Sequence, residues 1–206
     1  MKTPLRYQIS EYDCGPTAFL NAVSFLFERE QLPPELIRNV MLYSLDSYGA
    51  DGVSGKSGTS RTAMMFLSHW LDGFGSVGRL PVSSRYLSGA SVRFGAAGEL
   101  TDALRRGGAA VVRLMLDVEH YVTLTGLEGD DLFMFDPYYF DGSLAEAGVR
   151  IISDQPYSHN RIVPTSLLER EDNTLYALGR LEAREAVLIF NEETKLTPEK
   201  SIEYFI

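Results

Sequence analysis

Residues 18–27 form an apolar run that reads as a helix, predicted to extend over residues 14–30. Leu32-Pro33-Pro34 stops it, and Pro34 or Glu35 opens a second helix through Leu36, Ile37, Val40 and Met41. Residues 46–58 are rich in Gly and Ser and read as a loop. A third helix over 60–71 carries Met64, Leu67, His69 and Leu71 among its apolar positions, and Gly73 is its expected stop. Weak alternation at 82–86 and 91–94 suggests strand, and a short helix over 99–106 ends at Gly107-Gly108. Strands are then predicted over 109–116, 120–127 and 132–135, with two more at 150–152 and 186–190 and a helix near 165–170. Helices first and a mostly antiparallel sheet second is the α+β pattern.

Composition narrows the picture. At 206 residues the chain suits one packed core, so residues 1–206 are taken as a single domain. The 45% hydrophobic and 23% charged content is that of an ordinary globular protein. A net charge of −9 argues against a general nucleic-acid binder, which needs a basic face for phosphate, and suits small, peptide-like or basic partners. No apolar stretch approaches the ~18 residues of a membrane span, so no direct membrane insertion is expected. The first eight residues lack an apolar signal core, and the expected location is cytoplasmic.

One cysteine, Cys14, excludes an internal disulfide framework and a multi-cysteine metal site. It sits where the first helix begins. There, unpaired backbone N–H groups and the positive end of the helix dipole favour a thiolate. Gln8, six residues upstream, is a neutral amide that a short turn can bring back beside the sulfur. Of the three histidines, His120 opens a half-buried strand, His-Tyr-Val-Thr-Leu-Thr-Gly. The turn at Glu128-Gly129-Asp130-Asp131 leads into a second strand that ends at Asp136, with Pro137 as its stop. An antiparallel hairpin would place His120 and Asp136 near one end, the carboxylate on one imidazole nitrogen and the thiol on the other.

With these blocks the chain resembles the double-glycine leader peptidases that process bacteriocins, a branch of the papain-like cysteine peptidases found in bacteria. The residues that carry the likeness are 8–18, Gly58-Thr59-Ser60 with the helix following to Gly75, 100–116, and 120–137. The resemblance implies a papain-like α+β fold with Cys14 as nucleophile, His120 as base, Asp136 as its orienting group and Gln8 as an oxyanion donor. It also implies a cysteine peptidase without a cofactor, a peptide or protein substrate such as a leader peptide, and a peptide exporter as partner. Residues 140–206 lie outside the resemblance and are read as an extension of the same domain, with a polar tail from 192. Two rivals share these residues: an acyltransferase, in which an amine takes the place of water at the thioester, and a catalytically silent peptide-binding domain.

Other features have plainer readings. Asp13 can cap the helix, and its charge also raises the cost of a neighbouring thiolate. His69, beside Trp70, reads as a packing residue, and His159, in Tyr-Ser-His-Asn-Arg, as solvated. No histidine pair has metal-ligand spacing, so no metal site is assigned. Ala50-Asp51-Gly52-Val53-Ser54-Gly55-Lys56-Ser57 imitates a phosphate loop, but Gly58 follows where a helix must start at once. Tyr7, Tyr12, Tyr121, Tyr138 and Tyr139 cluster around the proposed site residues, either as core or as the wall of a peptide groove.

Overall fold

A computed structural model describes residues 1–140, 142 and 148–197 of the chain. It is an α+β protein whose seven strands pair antiparallel throughout, in the order β1-β7-β2-β3-β4-β6-β5. The strands are β1 (Val82–Ser88), β2 (Ala109–Leu116), β3 (Val118–Glu128), β4 (Asp131–Phe135), β5 (Arg150–Ile151), β6 (Arg161–Pro164) and β7 (Glu185–Asn191). Three longer helices, α1 (Cys14–Leu26), α2 (Pro34–Ser44) and α3 (Arg61–Ser76), precede most of the sheet. Two shorter ones, α4 (Glu99–Arg105) and α5 (Thr165–Leu168), fall between strands.

Strand alternation divides the core. Ala109, Val111, Val187 and Ile189 pack with Phe19, Val23, Leu67 and Leu71 of α1 and α3. Their neighbours Ala110, Val112, Ala186 and Leu188 pack with Leu100 and Leu104 of α4 and Leu167 and Leu168 of α5. Successive side chains of a strand face opposite ways, so one sheet serves two apolar layers. Strand β7 is buried along its whole length between β1 and β2, which is why its sequence is continuously apolar from Ala186 to Phe190. Residues beyond 140 therefore build part of the same sheet as the residues before it.

Several sequence-based boundaries move. Helix α1 stops at Leu26, and the chain re-enters a short 3-10 turn, Arg29–Gln31, whose start is fixed by reciprocal Glu28–Gln31 capping bonds. Residues 91–94 form no strand; a 3-10 turn, Gly89–Ser91, begins the connection to α4. Strand β6 was not expected, and it pairs with β4. The last part of the predicted polar tail, residues 198–206, lies outside the described residues.

Helix α3 continues through Gly73 and Gly75 to Ser76. Gly75 is there for proximity: a Cβ on it would lie 1.8 Å from the backbone oxygen of Val82, the first residue of β1. A backbone carbonyl cannot swing aside as a flexible side chain can. Gly75→Ala is therefore expected to cost stability by about 1–3 kcal/mol, the usual range for overpacking. Gly73→Ala, whose Cβ meets nothing within 4 Å, should be neutral or gain up to ~1 kcal/mol of helix propensity. Urea denaturation of the two variants checks the contrast, and equal midpoints would contradict it.

Candidate active site

Cys14 is the first residue of α1 and is 9% exposed. The helix is fixed on the sheet by the Thr123 hydroxyl of β3, which donates to the carbonyl of Ala18 at 2.8 Å. Pro16, in the first turn, lacks only an N–H that would have no partner within the helix. Gly15 lets the loop before α3 close in: a Cβ there would lie 2.2 Å from Thr59 Oγ1.

Asp13 does not cap α1 through its side chain. Its carboxylate accepts instead from the backbone N–H groups of Ile9 (2.9 Å) and Ser10 (2.6 Å) and from the Ser10 hydroxyl (2.6 Å). Burial opposes its ionisation, but the hydrogen bonds from Ser10 and Ile9 outweigh it and hold the carboxyl below its ordinary range. Asp13 thus folds the turn that returns Gln8 toward Cys14. The backbone N–H of Gln8 donates to Pro137 O at 2.8 Å, its side-chain Nε2 donates to Ser10 O at 2.7 Å, and its Oε1 is buried without a partner. Gln8 lines the same cavity as Cys14.

The hairpin of β3 and β4 carries the other two groups. A register shift between Leu124 and Gly126 leaves Phe135 opposite Thr123, so Asp136 emerges beyond it on the His120 side of β3. His120 Nε2–H donates to Asp136 Oδ1 at 2.7 Å, and the ring shares a cavity with the Cys14 thiol, which acts on it electrostatically. With Nε2 committed, Nδ1 is the nitrogen left for sulfur. Burial alone would lower the basicity of His120; the hydrogen bond with Asp136 and the nearby Cys14 outweigh burial and push its pKa up to about 9.

Asp136 is held from several sides. Its Oδ1 also accepts the Tyr138 N–H at 2.8 Å, and its Oδ2 accepts the Tyr176 hydroxyl at 2.7 Å. Asn160 brackets its backbone, accepting from Asp136 N and donating to Asp136 O, each at 2.8 Å. Burial works against the carboxylate, but the bonds from His120 and then Tyr176 and Tyr138 keep its pKa low. Asn160, Tyr176 and Arg161 were not singled out from the sequence. They lie beyond residue 140, Arg161 on β6, Asn160 just before it and Tyr176 between α5 and β7, where no local motif marks them.

Cys14 stands where two cavities meet. One, about 560 Å³, is lined by Gln8, His120, Asp136, Tyr138 and Arg161; the other, about 670 Å³, by Thr59, Arg113, Tyr121 and Lys56. Tyr121 lines that cavity from the core: it is buried, and its hydroxyl donates to the fully buried Glu185, which also accepts from Tyr86 and pairs with Arg113 Nε at 3.2 Å. Tyr7 and Tyr139 meet edge to face at the surface.

The remaining expectations divide. His159 is not solvated: it is buried and stacked on Phe133 with ring centroids 4.6 Å apart, because β6 brings it against β4. His69 is not a packing residue, since the solvent-facing side of α3 exposes it. Lys56 pairs with Asp51 at 2.6 Å in a turn, and α3 begins only at Arg61. Among the described residues, no group of three or more His, Cys, Asp or Glu could hold a metal ion, and no helix is long and apolar enough to cross a membrane.

No protein-family model matches the chain, and no curated protein matches it. Among solved structures it is similar to a double-glycine motif protease from an AMS/PCAT transporter in complex with the leader peptide. The likeness is at 10% identity with a TM-score of 0.43, over 91% of this chain and 89% of that one.

Proposed function

We propose that the protein is a cysteine peptidase of papain-like type that works through Cys14, His120 and Asp136. The observation that carries this reading is the buried His120 ring, bonded to a carboxylate on Nε2 and lining one cavity with the chain's one thiol. The Cys14 sulfur, as thiolate, attacks the carbonyl carbon of a peptide bond. The developing oxyanion is met by N–H groups of the first turn of α1 and by the second N–H of the Gln8 amide. His120 gives its proton to the leaving amine as the C–N bond breaks, leaving a thioester on Cys14. Neutral His120 then takes a proton from water, which attacks the thioester, and the acid product leaves as the thiolate–imidazolium pair is restored. Asp136 keeps the ring oriented and the imidazolium stabilised throughout.

The open cavities on either side of Cys14 suit an extended peptide. We assign a leader-type peptide substrate and a peptide exporter as partner, on the resemblance of the Gln8, Cys14, His120 and Asp136 blocks. A peptide aldehyde ending in two glycines tests the chemistry. It should add one mass equivalent to the intact protein at Cys14, and Cys14→Ala should lose the adduct. A parent protein that binds the peptide but forms no adduct would reduce the site to a binding domain.

A further inference from the structure

Arg161 is an unusual residue to find beside this site. It is 2% exposed, its Nε has no hydrogen-bond partner, and Nη1 donates only to the neighbouring Asn160 carbonyl at 2.8 Å. Among the described residues no carboxylate pairs with it. A buried guanidinium is costly unless its surroundings use the charge. Arg161 and Tyr176 line the cavity that holds Cys14, His120 and Asp136, and the charge of the guanidinium acts on the Tyr176 hydroxyl.

Tyr176 is equally constrained. It is fully buried, and its backbone has φ of 60°, a left-handed conformation that tyrosine seldom adopts. Tyr176 N–H donates to Met115 O at 2.7 Å, and Met115 N–H to Ala177 O at 3.0 Å, so this segment is tied to β2. The strain places one atom, the phenol oxygen, 2.7 Å from Asp136 Oδ2.

We propose that Tyr176 and Arg161 are positioning residues, which with Asp136, His120 and Cys14 form a chain of alternating charge ending on the nucleophile. A guanidinium presents only N–H groups, so beside Arg161 the phenol hydrogen has no acceptor on that side and is committed to Asp136 Oδ2. Asp136 then has Oδ2 filled and turns Oδ1 to His120 Nε2. Reading outward, thiolate, imidazolium, carboxylate and guanidinium alternate in sign and sum to zero, so the buried ion pair is formed without a net charge. Burial and Asp136 both keep the Tyr176 hydroxyl protonated, as a bridging donor must be.

The inference rests on the thiol-peptidase reading, and its test separates the two. The imidazole signals of the three histidines are followed by NMR from pH 5 to 11 in the parent, Tyr176→Phe, Arg161→Gln and Arg161→Lys. Besides Cys14 and Asp136, the cavity presents Glu11, Asp117, Glu119 and Tyr138, which are common to all four proteins and cancel in the comparison. The parent His120 should titrate at about 9. Tyr176→Phe removes a donor from Asp136 and makes it a stronger base, so the His120 midpoint should rise by about half to one pH unit. Arg161→Gln removes a cation that opposes the imidazolium and should shift it the same way, while Arg161→Lys restores the parent value. Turnover of a cognate peptide should fall about tenfold in Tyr176→Phe with little change in KM. The stacked His159 ring reports that each variant is folded. A parent midpoint near 6.5, the ordinary value, would overturn the peptidase reading and the inference together. A parent midpoint near 9 that stays put or falls in Tyr176→Phe would overturn the inference alone.

Discussion

Replacing His120 with alanine is expected to lower peptide turnover by about 10²- to 10⁴-fold, the range for losing a positioned general acid and base. The same change should remove a pH dependence of stability. The pKa of His120 is raised in the folded protein to about 9 from 6.5. Between those values the folded state holds a proton that the unfolded chain has released. The stabilisation is therefore complete below about pH 6.5 and is lost as pH rises through about 9. By itself His120 would make the free energy of unfolding decline over that window, with a slope no steeper than about 1.4 kcal/mol per pH unit. The proton that Cys14 gives up as thiolate offsets this uptake, so the decline is read in Cys14→Ser, where no thiol titrates. In His120→Ala that component should be flat. Urea titrations of Cys14→Ser, with and without His120→Ala, measure it at several pH values, and identical pH profiles would contradict the raised His120 pKa.

Gln8→Ala should cost about 10²- to 10³-fold in turnover, or ~2.7–4 kcal/mol of transition-state stabilisation, the usual consequence of removing one oxyanion donor. The loss should fall on kcat more than KM, because the oxyanion exists only in the transition state. In the free protein one N–H of the amide is held by Ser10 O, and Asp13 fixes the turn that carries it. The amide is thus placed before substrate arrives, and its buried Oε1 has no bond to lose. Gln8→Glu should be at least as damaging, since a carboxylate would repel both thiolate and oxyanion. Turnover of Gln8→Ala equal to the parent's would remove Gln8 from the mechanism.

The elements that were legible in the sequence are those with a local cause. The apolar run after Cys14 marks α1, and Pro33-Pro34 marks the start of α2. Alternation on either side of Gly129-Asp130 marks the β3–β4 hairpin, which is enough to bring His120 and Asp136 to one end. Each of these follows from periodicity, turn chemistry or proline, and neighbours along the chain decide it. Gly73 misled in the opposite sense, because a residue type that commonly ends a helix can also sit inside one, as Gly75 does for its close approach to Val82.

What the chain alone determined, then, is the α+β class and a cysteine, a histidine and an aspartate on elements able to present them. Only the tertiary structure decided what surrounds them. The insertion of β7 between β1 and β2 is a pairing of segments 74 to 109 residues apart (Val112 with Ala186, Val82 with Asn191), and the sheet order leaves no periodic trace in either partner. Asn160 and Tyr176 reach Asp136 across 24 and 40 residues of sequence, through the β4–β6 pairing and the bonds that tie the Tyr176 segment to β2. Arg161 could have been read as one more exposed basic residue; it is the fold that buries its charge. Contacts of that kind are set by which surfaces meet when both apolar layers close on the sheet, a property of the packed whole that no window of sequence contains.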